Sequence, residues 1–101
     1  MKPKKISQMI EREINGDWSI TNWHNCDLKK CLVRPKKREV IFGNGIKEVW
    51  IVLEENPLEL DQIKIYFDDE TKKFGLVMPS GDGLGFACNS DDTFLEAFKK
   101  M

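Results

Sequence analysis

Histidine occurs once in these 101 residues, as does tyrosine. No apolar run approaches the about eighteen residues that a membrane-crossing helix needs. The single imidazole, His24, leaves nucleophilic catalysis short of a base near neutrality. Neither a G-x-S-x-G elbow nor a cysteine-protease signature is present, so the expectation is a chain that is not an enzyme. The carboxylate pairs Asp68/Asp69 and Asp91/Asp92 fall in a turn and at a helix start, where solvated acids have local structural reasons to be. Three cysteines, Cys26, Cys31 and Cys88, are too few and odd in number for a secreted disulfide framework, and reduced thiols fit better. His24, Cys26 and Cys31 spell H-x-C-x4-C, which departs from the C-x2-C knuckles of zinc sites. Cys88 sits in an apolar stretch and reads as a small hydrophobe. No metal and no cofactor is expected. Cys31 follows Lys29 and Lys30, whose charge favours thiolate, so a reactive thiol there stays open beside a structural one. Gly81 to Gly85 (GDGLG) lacks the Lys-Ser/Thr of a phosphate loop and reads as a turn entering a strand.

What is present points to one folded unit. The chain is 41% hydrophobic and 33% charged, with six Phe and three Trp, enough to offset the entropy of ordering. A chain of this size removes roughly 65% of its unfolded surface from water, sufficient for a single domain, residues 1–101. The opening Met1-Lys2-Pro3-Lys4-Lys5 runs into an amphipathic pattern instead of an apolar signal core, so the expected location is cytoplasmic. Net charge is −1, yet it is divided along the chain. Residues 1–38 carry ten Lys/Arg against four acids, a net of +6, and residues 39–101 carry six Lys against thirteen acids, a net of −7. Held apart, the halves make two fields of opposite sign; interleaved as strands, they largely cancel.

The pattern predicts an α+β fold: an antiparallel β-meander of five to six strands between a short N-terminal and a short C-terminal helix. Ile6, Met9, Ile10 and Ile14 recur at helical spacing over residues 4–14, with Asn15-Gly16 as the stop. Asp17 to Trp23 alternates as a first strand, His24 to Lys30 reads as loop, and Cys31 to Arg34 as a short strand ended by Pro35. Lys37 to Phe42 and Ile46 to Glu55 form a hairpin around Gly43-Asn44-Gly45, and the second of these strands is apolar on both faces and therefore central. Asp61 to Phe67 reads as Ile63, Ile65 and Phe67 inward, with Gln62, Lys64 and Tyr66 on a solvated face. Lys73 to Met78 pairs back and Leu84 to Cys88 is the last strand. Ser90 is placed to cap the final helix, with Asp91 and Asp92 at its positive end and Phe94, Leu95, Phe98 and Met101 as its apolar stripe.

Acids gather at the strand ends: Glu54, Glu55, Glu59, Asp61, Asp68, Asp69 and Glu70, with Trp50 and Tyr66 as candidate aromatic anchors. Carboxylates around an aromatic suit a protein that occupies a basic, nucleic-acid-binding cleft, because they replace phosphates and speed encounter. The plainer reading is turn residues and edge charges that block aggregation. The basic segment 29–38 (Lys29, Lys30, Arg34, Lys36, Lys37, Arg38), with Trp18 or Trp23 to stack on bases, is the rival site for RNA. A pI of about 5.8 and the acidic second half argue against a nucleic-acid footprint.

The runs Glu48 to Glu55 (EVWIVLEE), Ile63 to Asp69 (IKIYFDD) and Lys73 to Val77 (KFGLV) resemble the strand pattern of small bacterial immunity proteins. These are the antidotes of polymorphic and contact-dependent growth inhibition toxins. The resemblance covers about the central half of the chain. It implies a cytoplasmic binder that neutralises a cognate toxin, often a nuclease, through protein contact. It carries over no functional residues, so the acidic and aromatic positions rest on the residues alone.

Overall fold

The computed structural model describes residues 1–43, 45–56 and 62–101. Helix α1 (Pro3–Ile14) forms as its spacing predicts, with Pro3 in the first turn and Ile6, Ile10 and Ile14 buried on one face. Asn15 ends it in the left-handed conformation, φ 51°, its N–H returning to the Glu11 carbonyl at 2.9 Å. The expected strand over Asp17 to Trp23 does not form. Side chains give this backbone another set of partners: Asp17 accepts from the Ser19 N–H and hydroxyl, and Asn22 accepts from the His24 and Cys26 N–H groups. A one-turn helix α2 (Leu28–Cys31) follows, capped by the Asp27 side chain at the Lys29 N–H, where sequence predicted loop and strand.

The sheet comprises β1 (Leu32–Phe42), β2 (Gly45–Glu54), β3 (Lys64–Asp68), β4 (Lys73–Met78) and β5 (Phe86–Asp91). Consecutive strands pair antiparallel, as the meander requires. Pro35 does not end β1: it lies buried inside the strand, where the register to β2 slips between Leu32 and Lys36, the kind of irregularity that accommodates a residue without an N–H. The β1–β2 hairpin closes with Phe42 opposite Gly45, as predicted. The sheet then curls until β5 meets β1. The Ile41 N–H donates to the Gly85 carbonyl at 3.0 Å, and Ile41 pairs with Phe86 in a short parallel contact that closes the barrel. Gly85 permits this seam: its φ is +80°, and a Cβ there would stand 2.4 Å from Val77 Cγ1.

Closure buries both faces of the central strands. One hydrophobic cluster joins Val52, Leu53, Ile65, Phe67, Phe74 and Leu76 to the helices, and the other contains only strand residues, centred on Val40, Val49, Ile51, Tyr66 and Val77. A helix about 10 Å across does not fit inside five strands, so the helix-bearing face is the outer one and the second cluster fills the barrel. All five residues of β3 are consequently buried, which corrects the expectation that Lys64 and Tyr66 face solvent. Helix α3 (Phe94–Lys99) is capped by Thr93, not Ser90. Thr93 accepts from the Glu96 N–H and donates to its carboxylate, while Glu13 of α1 accepts the Phe94 and Leu95 N–H groups at 2.9 Å each. Ser90, Asp91 and Asp92 lie before that cap, the first two inside β5, and the acids pair with Lys100 and Lys73 respectively. Among the described residues no helix is long and apolar enough to cross a membrane.

Candidate functional site

The predicted acids do not form one surface. Glu59 and Asp61 lie outside the described residues. Glu54 is buried at the end of β2, accepting from Lys36 at 2.5 Å and from Gln62 at 3.1 Å. Neighbouring Glu55 pairs with His24 at 2.5 Å. The other end of the same strand gathers Trp50, Asp68, Asp69 and Glu70 with Lys37, Lys47 and Glu48 around a recess of about 200 Å³. Trp50 is half-buried against the outer core, and Lys37 Nζ lies 5.2 Å from its ring centre.

Register shows how this end is built. Lys37 faces Trp50 across the β1–β2 ladder, and Trp50 faces Phe67 on β3. Two residues along, Glu39 directly opposes Glu48, both exposed, and Asp69 lies beyond the end of β3 on the same row. Glu39, which sequence reading passed over, thus joins Glu48 and Asp69 in an acidic strip; its signal was the hairpin register counted back from Gly43-Gly45. Like charges directly opposite in an antiparallel pair destabilise it. Lys37 partly answers Glu48 at 3.6 Å. Lys72 and the Met1 amino group both contact Asp69 and hold its carboxyl down at about 2.

Asp68 and Tyr66 belong to the barrel interior. Asp68 is buried, which alone would raise its pKa, but the Lys47 ammonium at 2.6 Å and the Glu70 N–H bring it below the ordinary value. Lys47 also reaches Glu70 at 3.2 Å, and its own pKa rises chiefly through the Asp68 hydrogen bond. Tyr66 is 3% exposed, so its ring is a core element and not an anchor offered to a partner. Its hydroxyl donates to the Asn89 carbonyl at 3.0 Å, and its ring stands edge-on to Phe42 with centres 5.3 Å apart.

Trp23, read from sequence as part of a strand, is instead 89% exposed on the irregular segment before α2. Asn22 ties this segment to α3 by donating to the Phe98 carbonyl at 3.0 Å. Cys26 and Cys31 are buried, whereas Cys88, which its apolar stretch would place among the buried hydrophobes, is exposed on β5. Burial pushes the Cys26 thiol up to about 11, against the thiolate. Among the described residues no group of three His, Cys, Asp or Glu is placed to hold a metal ion. Comparisons with protein-family models, with curated proteins and with solved structures give no match.

Proposed function

We propose that the chain is an immunity-type protein inhibitor that binds a cognate bacterial toxin in the cytoplasm, laying the acidic strip beside Trp50 against a basic cleft. The observation that carries this reading is the direct opposition of exposed Glu39 and Glu48, with Asp69 and Glu70 alongside. Such an opposition costs stability in the free protein, and a cationic partner relieves it. Trp50 supplies a flat, half-buried surface beside the strip, a residue type enriched where binding energy concentrates.

The test is a binding measurement with the variable C-terminal domain of a large secreted protein encoded beside this gene. Association is expected, and Glu48→Lys with Asp69→Lys should lower the on-rate about tenfold at low salt with little effect at high salt. Failure of the purified pair to associate would overturn the reading. The RNA-binding alternative draws on residues 29–38, where Lys36 is paired with Glu54, Lys37 with Glu48, and Arg38 with the Lys37 carbonyl. Among the described residues Lys29, Lys30, Arg34 and Arg38 of that set carry no ion pair with an acid and remain for phosphates, so generic RNA affinity should be weak and lost as salt is raised.

A further inference from the structure

β1 and β5 are the two strands without a full partner on each side. β2, β3 and β4 are flanked on both sides, whereas β1 pairs along its length with β2 and meets β5 only at Ile41. From Val33 to Val40 no strand among the described residues lies along its second edge, and alternate N–H and C=O groups of a strand point to such an edge.

Beside the start of this edge lies a recess of about 350 Å³ between α1, α2 and β1. Ile10, Trp18, Leu28, Leu32 and Val33 line it, and Lys29 and Arg34 stand at its rim. Neither cation has an ion-pair partner among the described residues, in contrast to Lys36, Lys37 and Lys47 further along the hairpin. Glu11 is the one acid in the lining. Edge charges alone would serve to repel other chains. Repulsion, however, does not require an apolar, tryptophan-lined recess opening at the same place.

We propose that this edge and recess form a docking groove for an extended, acidic segment of a partner protein. The segment adds as a strand to β1, seats one bulky apolar side chain against the partly exposed Trp18, Leu32 and Val33, and sets its carboxylates on Arg34 and Lys29. Three features choose this occupant. The edge offers backbone hydrogen bonds, which only an extended chain can meet. The recess is apolar and of a size for one large side chain. The rim charge is positive and unanswered, which selects acids. The groove lies apart from the acidic strip and takes a partner of opposite charge, so it stands whether or not the strip binds a toxin.

The probe is an acetylated decapeptide of alternating glutamate and valine with one central valine replaced by phenylalanine, titrated into the full chain and followed by amide NMR. Shifts are expected at residues 33–40 and at the Trp18 indole, with none at Glu48 or Asp69. Arg34→Glu, at an exposed position where the dispersed amide spectrum verifies folding, should weaken the probe about tenfold, the scale of one charge-assisted hydrogen bond turned to repulsion. The same peptide N-methylated on every residue should not bind, because neither of its edges keeps a donor, whereas Glu48→Lys should leave affinity unchanged. Equal binding of the methylated peptide, shifts confined to another face, absence of binding at millimolar probe, or tighter binding of single-stranded RNA at the same residues would each overturn the proposal.

Discussion

Gly75→Ala tests how the barrel interior is closed. Gly75 lies directly opposite Tyr66 in the β3–β4 ladder, and the tyrosine ring crosses over it to reach Asn89 on β5. An added Cβ would stand 2.5 Å from Cε2 and 2.6 Å from both Cζ and the hydroxyl oxygen. Neither side can yield easily. Gly75 is buried in a strand paired on both sides, and the ring is bounded by Phe42. The ring must therefore turn out of place, giving up its hydrogen bond inside a buried site. Overpacking costs about 1–3 kcal/mol and an unmet buried hydroxyl about 1–3 kcal/mol. The alanine returns about 0.5–1 kcal/mol by restricting the unfolded chain. The net expectation is a loss of about 2–4 kcal/mol. For a chain of this length the midpoint moves roughly 5 °C per kcal/mol, hence a fall of about 10–20 °C. Urea and thermal unfolding read it directly. The same substitution made on a Tyr66→Leu background should cost far less, since the obstruction is gone. A loss below about 0.5 kcal/mol, or an equal loss on both backgrounds, would refute the packing argument.

Three further outcomes follow from particular contacts. Glu39→Lys converts the opposed pair with Glu48 into an attractive one and should raise stability by about 0.5–1 kcal/mol in urea while slowing association with a basic partner; an unchanged midpoint would mean the opposition is not felt. Folded Cys26 holds its proton to about 11, above its ordinary 9.0, so its contribution is complete below pH 9 and is lost as the pH rises toward 11. The stability gap between wild type and Cys26→Ala should accordingly narrow by up to about 3 kcal/mol over that window, and a constant gap would place the thiol in water. Asn22→Ala removes hydrogen bonds to His24, Cys26 and Phe98, so it should cost about 1–3 kcal/mol and lower the heteronuclear NOE of the Trp23 backbone amide, which lies in the segment those bonds hold.

What sequence could reveal of the fold was local. The Ile6–Ile10–Ile14 stripe with its Asn15 stop and the Gly43–Gly45 hairpin each encode their structure within a few residues, and both stand as read. The strand expected at Asp17 to Trp23 failed because alternation of Trp18 and Ile20 is a statement about side chains, whereas the backbone there is held by Asp17 and Asn22. Tyr66 and Lys64 were placed outside because their polar ends suggest water. Only closure of the sheet, a pairing between residues 41 and 86, buries them, and no alternation pattern carries that information. The candidate site fared likewise. Trp50 and Asp68 to Glu70 do gather, because the β2–β3 register brings them together, while Glu54 and Glu55 are carried to the far end of the same strand.

The division of charge along the chain has a definite structural outcome. β1 carries the end of the basic first part, through Arg38, and β2 belongs to the acidic remainder, and they are the most extensively paired strands, so Lys36 meets Glu54 and Lys37 meets Glu48 across the division. The two broad fields that separated halves would make are therefore cancelled along the hairpin. What survives lies on α1 and around the two ends of the hairpin. Lys2, Lys4, Lys5 and Arg12 surround a recess of about 300 Å³ on the solvent side of α1, and Lys29 and Arg34 flank the open edge of β1. Glu39, Glu48 and Glu70 remain at the hairpin's tip side. Residual charges grouped this closely act over about one Debye length, roughly 8 Å at physiological salt, so they orient a partner at contact more than they draw it from afar. A chain with net charge near zero can in this way hold two docking surfaces of opposite sign. Removing one of them by mutation should leave the salt dependence of the other intact.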